Sequence, residues 1–263
     1  MALMTGSLIR FFSMLLLVSM VGGCTSTAKT NQVSVSRDEQ LQNRLQLAVN
    51  YMRSGNHERA REHLARAEEI DSRSPEVHDL YALLYQRERE FDIAEKHYKK
   101  ALGYDPGFTR GRNNYGSFLL RQGRAEEACE QFKKGAEDLS YVRRFELFYK
   151  IGLCATRTGD NRAAIEALLK SLALNQQFSP ASLELASISF SEKEYAKAKQ
   201  YLNHYNSHRD RPTPRGLWLG VQLEHMFGNK DARDSQGLAL KNLFPDSEEN
   251  LRYQNWLKNG YKE

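Results

Sequence analysis

Small residues recur along the chain at a nearly constant interval, with bulky apolar residues on either side of them. Ala60, Ala94, Ala128, Ala164, Ala198 and Ala232 are separated by 34, 34, 36, 34 and 34 residues. Twelve positions before each stands a second small residue: Ala48, Ala82, Gly116, Gly152, Ala186 and Gly220. A bulky residue precedes this second set (Leu47, Tyr81, Tyr115, Ile151, Leu185, Leu219), and another follows the alanines by four (Leu64, Tyr98, Phe132, Leu168, Leu202). The sixth copy breaks at Gln236. Apolar residues at such spacings predict amphipathic helices, and a small residue on each of two helices predicts their point of closest approach. Each period therefore reads as one antiparallel helical hairpin. Ser54-Gly55-Asn56, Gln122-Gly123-Arg124 and Thr158-Gly159-Asp160 supply turn chemistry between the helices.

This pattern resembles the tetratricopeptide repeat, in six copies over about residues 41 to 245. The predicted fold is all-α: six hairpins at 41–74, 75–108, 109–144, 145–178, 179–212 and 213–246, forming a right-handed superhelix within 38–263. A helical pattern starts near Asp38, with Asp38 or Ser36 as its cap. After Pro245, residues 247–259 carry Leu251, Tyr253, Trp256 and Leu257 and read as a helix capping the last repeat. The interval that grows to 36 residues contains Leu139 to Phe145, where aromatic and basic residues mix. It reads as an extended helix or loop packed by Tyr141 and Phe145, with a contact site as the other reading.

Residues 1–23 read as an export signal: Arg10 precedes an apolar run from Phe11 to Val21, too short to span a bilayer comfortably. The run ends in Val21-Gly22-Gly23-Cys24, which resembles a bacterial lipobox and implies that Cys24 becomes a lipidated first residue. Thr25, rather than aspartate, follows it, which in bacterial lipoproteins implies the outer membrane. Residues 24–37 are polar and read as a flexible tether. The anchor would be acyl chains such as palmitate, with the protein facing the periplasm.

Composition narrows the chemistry. A net charge of +5 on 263 residues, with acids and bases alternating, describes a solvated helical surface and not a nucleic-acid stripe. No catalytic motif, phosphate loop or cofactor signature occurs, and no small-molecule substrate is implied. His204 and His208 have metal-ligand spacing but no third ligand near them in sequence. With Cys24 lipidated, Cys129 and Cys154 remain, either bridged in an oxidising compartment or as two buried thiols.

In tetratricopeptide proteins the first helix of each repeat lines a concave wall that holds partner segments. The corresponding positions here include Leu45, Val49, Met52, Asp79, Leu83, Gln86, Asn113, Ser117 and Leu120, followed in the fourth repeat by Tyr149 and Leu153. Leu45, Val49, Met52 and Leu83 are either an open apolar groove or are covered. Signal, tether, six repeats and cap together resemble the PilF/PilW family of type IV pilus biogenesis lipoproteins. The stretch Gly111-Arg112-Asn113-Asn114-Tyr115-Gly116 looks like that family's third repeat. The resemblance implies a pilotin: a non-enzymatic protein that binds secretin subunits, carries them to the outer membrane and promotes their multimerisation. A lipidated scaffold for cell-wall enzymes or outer-membrane protein assembly is the alternative, and a catalytic role centred on His204 and His208 is a third.

Overall fold

The structure is a computed structural model, and it describes residues 36–260. The signal, Cys24 and most of the tether lie outside them. Among the described residues there are 13 α-helices and no strands. Six hairpins pair α1 (Arg37–Arg53) with α2 (His57–Ile70), α3 (Pro75–Arg87) with α4 (Phe91–Tyr104), and α5 (Thr109–Arg121) with α6 (Ala125–Ala136). Then follow α7 (Arg144–Arg157) with α8 (Asn161–Leu174), α9 (Ser179–Ser191) with α10 (Tyr195–Ser207), and α11 (Pro214–Met226) with α12 (Lys230–Leu243). The last helix, α13, spans Glu248–Lys258.

Local chemistry sets the helix ends. Asn56, Ser74, Asp160, Thr213, Asn229 and Ser247 each accept a hydrogen bond from a backbone N–H in the first turn that follows. Pro75 and Pro214 open helices, where a missing N–H costs nothing. Within the hairpins, the residue five before the key alanine takes a left-handed backbone: Gly55, Arg89, Gly123, Gly159 and Lys193 all have φ between 63 and 81°. Glycine enters this region freely, so Arg89 and Lys193 occupy the two costlier turns.

The recurring small residues lie where the helices cross. Ala48, Ala60, Ala82, Ala94, Ala128, Ala164, Ala186 and Ala198 are fully buried. A Cβ on Gly116 would come within 2.6 Å of the Phe132 ring, and one on Gly152 within 2.7 Å of Leu168. The third and fourth hairpins thus use a glycine on the first helix to admit the large residue four positions after the alanine of the second.

The sixth hairpin departs from the spacing of the others. Its turn glycine, Gly228, precedes Ala232 by four residues rather than five. A one-residue slip turns a helix by about 100°, so Arg233 points inward and is buried, whereas Ala232 is only half-buried. The expected sixth alanine is therefore replaced at the interface. Gly220 still faces Gln236, the residue at which the apolar series breaks. One position on, Gly237 leaves a gap that the Tyr253 ring of α13 fills, and a Cβ at 237 would overlap the tyrosine hydroxyl. Tyr253 and Trp256 join Trp218, Val221 and Leu240 in the final core cluster.

The long junction between the third and fourth hairpins is a loop. Asp138 holds it by accepting from Thr109 Oγ1 at 2.7 Å and from the Ser140 N–H at 3.0 Å. Tyr141 packs on the core formed by Tyr98, Phe118, Phe132 and Leu147, and Phe145 meets Phe178 edge-on at 4.9 Å. Leu139 and Val142 stand out into solvent, 78% and 90% exposed. Across this junction Cys129 of α6 is joined to Cys154 of α7 by a disulfide, with the Cα atoms 5.8 Å apart.

Candidate functional site

The first helices of successive hairpins pack side by side, so the wall they form is built from side chains that first have to satisfy that packing. At the N-terminal end this closes the expected apolar groove. Leu45 and Met52 are buried in one cluster with Ala60, Leu64, Val77 and Leu84, while Val49 and Leu83 are half-buried against it. Leu45, the fifth residue of the repeat that starts at Leu41, lies between neighbouring first helices, so an apolar residue at this fifth position belongs to the core and is not presented to a partner. The open-groove reading of Leu45 and Met52 is therefore corrected.

Asp79 follows the same rule with a charge. It is 1% exposed and accepts from Asn114 Nδ2 of the next first helix at 3.0 and 2.9 Å, with Arg110 3.6 Å away. Burial raises its pKa to about 6, against the opposing effects of Asn114 and Arg110. Gln86 accepts from Arg121 at 2.6 Å and from the Tyr98 hydroxyl at 3.2 Å. Arg87 donates to the Met52 carbonyl and Arg157 to the Leu120 carbonyl, both at 2.9 Å. An arginine at the end of one first helix thus grips the end of the preceding one.

Towards the middle of the wall the surface becomes open and cationic. Lys150, on α7, donates to Asn113 Oδ1 at 2.5 Å and to Ser117 Oγ at 2.8 Å on α5, and its ammonium lies 5.5 Å from the centre of the Phe132 ring. Burial lowers its pKa to about 8. Beside it a cavity of about 280 Å³ is lined by Ser117, Leu120, Arg121, Tyr149, Leu153 and Arg157. Of the eleven expected wall residues, Ser117, Leu120, Tyr149 and Leu153 line this cavity directly and Asn113 holds its lysine. Lys150 itself escapes the repeat pattern, because it stands between the expected wall positions Tyr149 and Leu153.

A larger cavity of about 620 Å³ lies at the C-terminal end between α9, α11 and α13, with Phe190, Arg215, Trp218, Arg252 and Trp256 among its lining. Glu184 receives both terminal nitrogens of Arg215, at 2.5 and 2.7 Å. The residues lining it are scattered over more than 60 positions, which hides it from a repeat-by-repeat reading.

The histidine pair has a local explanation. His204 Nδ1 is 2.8 Å from Ser182 Oγ, and His208 Nδ1 is 2.9 Å from the His204 carbonyl oxygen. Among the described residues no group of three His, Cys, Asp or Glu side chains is arranged to hold a metal ion.

Stacked hairpins with a lined concave wall define a tetratricopeptide-repeat interaction scaffold, and that family's signature matches residues 41–74, 80–139 and 145–178. The similarity is more particular than the repeat alone. Type IV pilus assembly protein PilF of Pseudomonas aeruginosa is 35% identical over 234 residues, covering 88% of this chain and 92% of the relative. A solved structure of Pseudomonas aeruginosa PilF superposes with a TM-score of 0.77 at 36% identity, over 83% of this chain and 98% of that one. PilW, described as a widely conserved type IV pilus biogenesis factor, gives 0.72 at 29% identity, over 81% and 97%. The chain belongs to the PilF/PilW family of type IV pilus tetratricopeptide proteins.

Proposed function

We propose that this protein is an outer-membrane lipoprotein that binds secretin subunits and promotes their localisation and multimerisation during type IV pilus biogenesis. The observation that carries the reading is similarity to a type IV pilus assembly protein along nearly the whole chain, with all six hairpins and the cap present. The Val21-Gly22-Gly23-Cys24 sequence supports a lipid anchor. A scaffold of this kind acts by holding partners, and neither grip nor transport requires bond-making chemistry.

The decisive experiment is an immunoblot for heat- and detergent-resistant secretin multimers in outer membranes, with and without the gene. Loss of the multimers, with monomers accumulating in another fraction, is the expected result. Normal multimers in the outer membrane would refute the pilotin reading and direct attention to the scaffold of periplasmic enzymes.

A further inference from the structure

We propose that Leu139 and Val142, in the loop between α6 and α7, enter the lipid bilayer to which the protein is anchored and fix how the array lies on it. The inference rests on the lipid-anchor reading of Cys24 and adds a second point of contact. Among the described residues these are the two most exposed large apolar side chains, at 78% and 90%.

The other junctions show that this exposure is built in. Asp71, Asp105, Asp138 and Asn175 each open a junction with a side-chain oxygen that accepts from the backbone N–H two residues on, at 3.0, 2.8, 3.0 and 3.1 Å. The residue between is exposed in all four: Ser72, Pro106, Leu139 and Gln176. Only the third junction puts a large aliphatic side chain there. Tyr141 then stands where the other junctions have Phe108 and Phe178, whose helices begin at the very next residue. Here Val142 and Arg143 intervene before α7, so Val142 is one of the two extra residues of the long interval. With Tyr141 packed on the core and Asp138 bonded to Thr109, an ordered loop holds both aliphatic groups out.

Size and position select the occupant. A stable protein interface takes about 20 to 30 residues from each side, far more than two side chains on a narrow loop. A bilayer needs no complementary shape, and aliphatic groups that leave water for it gain directly. Such a pair does not hold a protein on a membrane by itself. Where a lipid already does so, the contact is intramolecular, and a small gain suffices to orient the array.

In a row of antiparallel hairpins, every junction lies on the edge where the first helices begin. Arg37, at the start of α1, accordingly donates to the Ile70 carbonyl at the end of α2, at 2.9 Å. The chain from Cys24 therefore joins the array on the edge that carries Leu139 and Val142. Three helix spacings of about 10 Å separate α1 from α7, roughly 30 Å in all. The 13 residues from Cys24 to Arg37 reach roughly 40 Å when extended. When the loop touches the bilayer, Arg37 is thus within reach of an anchor in the same bilayer.

The test labels Val142→Cys with the environment-sensitive fluorophore NBD in the full-length lipoprotein, reconstituted in phosphatidylcholine vesicles. Cys129 and Cys154 are bridged and an acylated Cys24 is blocked, so the introduced thiol is the one that reacts. Emission should shift to the blue and rise at least threefold on reconstitution, and doxyl-labelled lipid should quench it. Leu139→Asp in the labelled chain should cancel at least half of the rise. A label on Gln122→Cys, an exposed position in the turn at the other end of α6, should keep its aqueous emission. The mass of the N-terminal fragment reads acylation separately. An acylated chain whose Val142 label stays aqueous would overturn the bilayer contact and leave the anchor standing. Equal rises at positions 142 and 122, or a rise untouched by Leu139→Asp, would overturn it too, as an effect of the label. An unacylated chain would overturn the anchor reading and this proposal with it.

Discussion

A buried carboxylate that does not complete a full ion pair makes the stability of this array depend on pH at one residue. Asp79 has its pKa raised from 3.8 to about 6 in the fold. Between those values the folded chain binds more protons than the unfolded one, so this group lowers stability as pH rises through the window. A shift of that size corresponds to about 3 kcal/mol at most. Replacing Asp79 by Asn keeps an acceptor for Asn114 and removes the titration. The wild type should lose about 2 to 3 kcal/mol more than Asp79→Asn between pH 4 and pH 7, as measured by urea denaturation at the two pH values. Parallel pH profiles would show that Asp79 is not linked to folding. Glu95 works in the opposite sense, because hydrogen bonds from Arg124 hold its pKa down at about 2.

At the scale of helices and junctions, the irregular connection between the third and fourth hairpins is where covalent chemistry supplements packing. The disulfide closes 25 residues of sequence separation across the loop that carries the two extra residues. Restricting the unfolded chain over a loop of that length contributes about 2 to 4 kcal/mol. The double variant Cys129→Ala, Cys154→Ala should be destabilised by about that amount in chemical denaturation, and dithiothreitol should have the same effect on the wild type. No change in either case would mean that Tyr141, Phe145 and the surrounding core hold the junction unaided.

Much of this architecture is legible in the sequence, because a helix crossing leaves two small residues at a constant separation and a left-handed turn leaves a glycine. Ala60 to Ala198 and Gly55, Gly123 and Gly159 carry that information directly. The slip in the sixth hairpin escapes the same counting, since the turn follows Gly228 and Asn229 while the spacing of small residues still points to Ala232. The wall is harder to read for a related reason. A fifth-position residue such as Leu45 is placed by its neighbours on the next helix, and the sequence of its own repeat does not record them. The cationic cavity depends on Lys150 meeting residues 37 and 33 positions away, on a separate helix.

For the whole molecule, location is proposed to be set by one residue that lies outside the described part, and recognition by the stacked hairpins. The two roles separate experimentally. Cys24→Ser should move the protein from the outer-membrane fraction to the soluble periplasm while its far-ultraviolet circular dichroism and melting temperature stay unchanged. Continued fractionation with the outer membrane would defeat the lipid-anchor proposal.

A linear array of like units has no intrinsic reason to stop at any number, since each added hairpin buries the exposed face of the last. Here the end is specified by a mismatch. Where earlier hairpins carry Leu64, Tyr98, Phe132, Leu168 or Leu202, counted from the turn, the sixth has Gly237, and the tyrosine that fills the space comes from α13. The sixth hairpin completes its own interior only by accepting that helix. How many repeats this protein has is thus decided by the shape of one vacancy and the side chain that fits it.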